Sequence, residues 1–103
     1  MQIDELRREV ESLSVSYAER NGIDRTDEWL LLKLNEEVGE LTQAFLARSG
    51  QARDKGRDDH ELRADLRAEL ADVLAHVLLI AERFDIDVSA EIRRTWLSRR
   101  PVE

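Results

Sequence analysis

The 103 residues suffice for one small domain, expected to span 1–103 without a second one. The formal net charge of −7 and pI near 4.9 argue against a nucleic-acid-binding surface, because nonspecific affinity for that polyanion comes mainly from Lys and Arg neutralising phosphates. The absence of cysteine excludes disulfides, thiolate metal sites and cysteine nucleophiles. The N-terminal MQIDELRREV lacks an apolar core, and the most apolar segment is interrupted by Asp72 and His76. Neither a signal peptide nor a membrane span is expected, and the reading is cytoplasmic.

Residues 2 to 20 read as a first helix, with Ile3, Leu6, Val10, Leu13 and Tyr17 spaced three and four apart as a packing stripe. Asn21-Gly22, a pair that tolerates the left-handed conformation, ends it. Thr26 is the expected N-cap of a second helix, with Asp27 and Glu28 suiting the positive end of its dipole. Leu30, Leu34, Val38, Leu41 and Phe45 form its core-facing stripe. Trp29 and Lys33 fall on the same side as Glu36, Glu37 and Glu40, where an aromatic and a cation suit a base and a phosphate. Equally, Trp29 is a core or interface aromatic and Lys33 pairs with Glu37 one turn on.

Ser49 to His60, SGQARDKGRDDH, is polar, holds two of the four glycines and reads as a loop. Arg53, Lys55 and Arg57 are placed to close over an anion or simply to face water. The loop does not match a P-loop. A third helix is expected from about Glu61 to Phe84, with a seam of Leu62, Leu66, Leu70, Val73, Val77, Ile80 and Phe84. Asp85-Ile86-Asp87 makes a turn, and Asp87 caps a fourth helix from Val88 to about Ser98, whose buried side is Ile92 and Trp96, with Pro101 beyond. Nothing alternates with a period of two. The expected class is all-α, a four-helix bundle-like arrangement with one longer loop.

Within the third helix, Glu69 to Ala81 is apolar around most of its circumference, and its narrow polar stripe carries Glu69, Asp72 and His76. Such a helix is normally buried, and a buried carboxylate without a partner is expensive. If helices two and three pack antiparallel, Glu36, Glu37 and Glu40 face Glu69 and Asp72. Like charges about 4 Å apart repel by about 4 kcal/mol at an effective dielectric near 20. These acids are therefore protonated, splayed into water or neutralised by cations, and an all-oxygen cluster suits a hard ion such as Mg²⁺ or Mn²⁺. The alternative is a buried pair in which Asp72 and His76 satisfy one another. Since one small monomer buries a limited fraction of its surface, a helix apolar on most sides points to a homodimer or homotetramer.

LLKLNEEVGEL followed by ELADVLAHVLLIAERFDID resembles the MazG-type nucleoside triphosphate pyrophosphohydrolases, whose signature is EExxE, a variable gap, then ExxD. The match is Glu36, Glu37 and Glu40, then Glu69 and Asp72, with 28 residues between Glu40 and Glu69. The resemblance runs from about Trp29 to Arg100 and takes in the basic terminal RRTWLSRRP. It implies Mg²⁺ bound by Glu37, Glu40, Glu69 and Asp72, a triphosphate held by the metals, and hydrolysis between the α and β phosphates. Glu36 and Glu37 are then the catalytic candidates, Glu36 orienting water. Trp29, Lys33, Arg94 and Arg99 are candidates for substrate binding, with Arg93 and Arg100 in reserve. A basic helix C-terminus complementing its dipole explains the same arginines.

His76, four residues after Asp72, resembles the DxxxH pattern of phosphoribosyl-ATP pyrophosphohydrolases, an alternative branch with the same bond cleaved. A catalytically silent helical module binding a nucleotide or a protein, and a purely structural bundle with its acids in water, are the competing readings.

Overall fold

Gly22 takes φ +63, and its N–H bonds back to the Ala18 carbonyl, so the first helix stops where Asn21-Gly22 predicts. A computed structural model describes residues 2–101; Met1, Val102 and Glu103, the ends of the expected domain, lie outside the described residues. The described chain is all-helical, without strands, and contains four α-helices: α1 (Ile3–Asn21), α2 (Asp27–Arg48), α3 (Asp59–Arg83) and α4 (Val88–Thr95). A single 3₁₀ turn, Leu97–Arg99, follows α4. No helix among the described residues is long and apolar enough to cross a membrane.

The caps explain the boundaries. Thr26 accepts from the Trp29 N–H at 3.0 Å, and Asp87 accepts from the Ala90 N–H at 3.0 Å, as expected. The third helix begins earlier than expected, because Asp58 and Glu61 close a reciprocal capping box around its first turn. The fourth ends earlier than Ser98. There the Thr95 and Ser98 hydroxyls donate to the Glu91 and Arg94 carbonyls at 2.7 Å each, and the backbone tightens into the 3₁₀ turn.

Helices α2 and α3 form an antiparallel hairpin. At its open end, away from the connecting loop, Arg83 donates to the Asp27 carboxylate at 2.6 Å and also to the Arg25 carbonyl. Helix α1 lies against α3, with Arg7 paired to Glu82 at 2.9 Å, and Arg25 in the α1–α2 connection donates to Glu11. The fully enclosed core is small: Ala18, Leu30, Leu78, Leu79 and Ala81, with Leu30 and Leu78 each 1% exposed.

Four expected packing faces are corrected. On α1 the buried line passes through Ala18 and half-buried Ser14, leaving Leu13 70% exposed and Tyr17 half out. A straight helix drifts about 20° per heptad from a 3-4 repeat, which moves the contact line off Leu13 and onto its neighbours. On α2 the stripe is buried at Leu30 and half-buried at Leu34 and Leu41, while Val38 and Phe45 stay exposed because α1 packs on α3 instead. On α3 the apolar surface at Leu70 and Leu74 is open, so burial is concentrated at Leu78, Leu79 and Ala81. Helix α4 packs chiefly against its own following turn, and Ile92 and Trp96 are exposed rather than buried.

Leu78→Ala should lower the unfolding free energy by about 2–4 kcal/mol. Leu13→Ala should change it by no more than about 0.5 kcal/mol. Urea denaturation of both variants checks the reassigned α1 face, and equal losses would contradict it.

Candidate metal and nucleotide site

Glu37 and Glu40 stand three residues apart on α2 and share a face; the antiparallel pairing of α2 and α3 sets Glu69 against them. Each of the three offers a carboxylate oxygen, and these oxygens all lie within 4.8 Å of one another. Glu37 and Glu69 are half-buried and Glu40 is exposed. The Glu37 Oε2 and Glu69 Oε2 atoms are enclosed by protein without a hydrogen-bond donor. Burial pushes the Glu37 carboxyl above its ordinary 4.5, with Glu40 and Asp72 adding to the rise and His76 opposing it. Glu69 is raised in the same way, first by burial, then by Glu40 and Asp72. Two shielded acceptor oxygens and a third, exposed carboxylate within reach of both fit a hard divalent cation.

Asp72 is exposed and lies outside this triad, one turn further along α3, although its charge reaches both buried carboxylates. The alternative pairing of Asp72 with His76 does not form through side chains. His76 Nδ1 donates instead to the Asp72 backbone carbonyl at 2.8 Å, which leaves Nε2 for another partner. Lys33 pairs with Glu36 at 2.8 Å rather than with Glu37, and this hydrogen bond holds its ammonium pKa above 10.5. The Lys33 Nζ also sits 6.0 Å from the centre of the Trp29 ring.

A hollow opens on each side of the triad. The larger, about 740 Å³, includes Glu36, Glu40 and Glu69 in its wall and is rimmed by Arg53, Lys55 and Arg57 from the α2–α3 loop. The smaller, about 300 Å³, is lined by Tyr17, Trp29, Lys33, Glu37, His76 and Leu79 among others. Sequence reasoning had assigned Tyr17 to packing, and its 3-4 spacing carries no mark of a site. Arg94 is held by Glu91 through Nε and Nη2 at 3.1 and 2.8 Å, and Arg99 lies 5.5 Å from the centre of the Trp96 ring. Neither lines the two hollows.

The family model described as the MazG nucleotide pyrophosphohydrolase domain matches residues 25–96, which include the triad, Asp72 and both walls of the hairpin. The chain belongs to this family, whose members are nucleotide pyrophosphohydrolases and generally use a divalent metal. No curated protein and no solved structure matches the chain.

The raised carboxyls fix the sign of a pH effect. A carboxyl whose folded pKa lies above its unfolded value destabilises the fold when ionised, and that penalty disappears as pH falls. In metal-free protein Glu69→Gln should therefore melt higher than the wild type at neutral pH, with the gap closing as pH drops towards 4.5. Thermal melts across that range check it; a gap that widens on acidification would refute the assignment.

Proposed function

We propose that this chain is a divalent-metal-dependent hydrolase of (deoxy)nucleoside triphosphates, adding water across the α,β anhydride to give a nucleoside monophosphate and pyrophosphate. The observation that carries this is the pair of enclosed, donor-free oxygens on Glu37 and Glu69, joined by Glu40 within ligand distance. Mg²⁺, or Mn²⁺ in its place, would be held by Glu37, Glu40 and Glu69, with Asp72 completing the set from the next turn of α3. When bound there the metal neutralises phosphate oxygens and the charge that develops as the anhydride breaks.

The chain's own groups do the rest. Glu36, on the wall of the larger hollow, orients the attacking water and accepts its proton, while Lys33 holds the Glu36 side chain in place. Glu37, its carboxyl already raised, contributes from the other side of the triad. Trp29 and Tyr17 offer ring faces and His76 its second ring nitrogen to the base, which enters the smaller hollow. A role in removing unwanted nucleotides suits this chemistry.

The partner is a second copy of the chain. Leu31, Leu34, Val38, Leu41 and Phe45 repeat three and four apart along α2, and Leu31, Val38 and Phe45 are exposed. Phe84 at the end of α3 lines a hollow with Leu31, and Leu70 and Leu74 of α3 are exposed as well. Two helices with uncovered 3-4 stripes form half of a four-helix interface that a two-fold axis completes. In such an assembly Arg94 of α4 and Arg99 of the following turn, once released from Glu91 and the Trp96 ring, would reach a neighbouring site.

Incubation with a panel of nucleoside triphosphates, deoxynucleotides and phosphoribosyl-ATP, followed by product separation, tests the reaction. Monophosphate plus pyrophosphate should form, should stop in chelator, and should fall about a hundredfold or more in Glu40→Gln. Orthophosphate as the product would overturn the α,β assignment, and preference for phosphoribosyl-ATP would move the chain to that branch. Sedimentation should give a dimer or larger assembly that Val38→Glu dissociates.

A further inference from the structure

The α2–α3 loop supplies three cations to the rim of the larger hollow, but it employs them differently. Arg57 is committed. Its Nε and Nη2 donate to the two Asp65 carboxylate oxygens at 2.7 Å each, and Nη1 lies 3.4 Å from Glu61. This planar two-point grip on α3 is the geometry that arginine makes with carboxylate and lysine does not. Arg53 and Lys55 also line the hollow, and among the described residues neither forms an ion pair.

The backbone between them is turned tightly. Lys55 and Gly56 take φ +56 and +80, and the Arg57 N–H donates to the Asp54 carbonyl at 3.0 Å. The Asp54 carboxylate accepts from the Gly56 N–H at 2.9 Å. Two successive positive φ values closed by that bond make a reversed β-turn, which lifts Lys55 at its tip. The Arg57–Asp65 grip then holds the turn beside α3, one helical turn from Glu69.

The hollow therefore has carboxylates on its wall and two unengaged cations on its rim. A bare cation would be repelled by the rim and a bare anion by the wall. A phosphate chain bridged to the carboxylates by a divalent ion satisfies both. Resting on the hydrolysis proposed above, we propose that the α2–α3 loop is a clamp for the β,γ-phosphate end of the substrate. In this clamp Arg53 and Lys55 contact the phosphates, and Arg57 is a positioning residue that acts through Asp65. The aromatic hollow on the far side of the triad leaves the opposite end of the substrate for the base.

Titration calorimetry with inorganic pyrophosphate, with and without Mg²⁺, reads the clamp independently of turnover. The wild type should bind pyrophosphate, and Arg53→Gln/Lys55→Gln should weaken it by about tenfold or more, while nucleoside monophosphate affinity moves by less than about threefold. The same variant should raise KM for the triphosphate. Asp65→Asn, which releases Arg57 without removing any rim cation, should also weaken pyrophosphate binding, and Asp65→Glu should restore part of it. Undiminished pyrophosphate affinity in the double variant, or no pyrophosphate binding by the wild type, would overturn the clamp. Tighter binding in Asp65→Asn would overturn the positioning role of Arg57. If the wild type turns over no triphosphate yet loses pyrophosphate in the double variant, the clamp stands and the proposed reaction falls.

Discussion

Three glutamates with no donor between them are kept together by everything that packs α2 against α3. Repulsion within such a group works directly against the hairpin, and half-burial of Glu37 and Glu69 strengthens it by removing water. The opposing forces are placed at a distance from the triad. Arg83 ties the open end of the hairpin to Asp27 and the Arg25 carbonyl, and the Arg57 grip on Asp65 secures the loop end. Leu30, Leu78 and Leu79 provide the apolar adhesion. The acids occupy the stretch between these anchors, where their repulsion is borne rather than relieved. A binding site assembled in this way is organised before its ligand arrives, so little reorganisation is left for the moment of binding.

Much of this was legible in the sequence because the signals are local. Helix caps at Thr26 and Asp87, the stop at Gly22 and the absence of a two-residue period depend only on neighbours along the chain. The meeting of Glu37, Glu40 and Glu69 was legible for a different reason. An antiparallel hairpin with matched apolar stripes leaves few registers, and the acid spacing on each helix is itself helical. What the sequence could not supply is which apolar stripe a neighbour covers. Leu13, Val38, Phe45 and Trp96 carry the same periodic signal as Leu30 and Leu78, but only the latter pair is enclosed. Likewise the i,i+4 spacing pointed Lys33 to Glu37, but Glu36 one residue nearer is equally within reach and takes the ammonium. Tyr17 entered the site because α1 drifts from its nominal stripe, an effect of helical pitch that no residue type announces.

The two hollows differ in what they can discriminate. The larger is bounded by charges of both signs, and in the proposed reading it takes the phosphates. The smaller is bounded by the Tyr17 and Trp29 rings, aliphatic carbon, the His76 imidazole and one charge of each sign, Lys33 and Glu37, and in the proposed reading it takes the base. In the proposed reading, placing them on opposite sides of the triad separates selection of the base from recognition of the phosphate chain. Substitutions on one wall can then retune one property while the acids stay fixed, in keeping with the rule that function lives in sites carried by a fold rather than in the fold itself.

Helix α4 has only eight residues and leans on little beyond its own following turn. An isolated helix shorter than about 12–15 residues is marginal in water, because the cost of nucleation is spread over too few hydrogen bonds. Asp87 at its start lowers that threshold without removing it. The segment thus stands close to its own melting point while the hairpin does not. Its amides should exchange with solvent as a separate, faster class, and the protection of that class gauges what rests against Ile92 and Trp96.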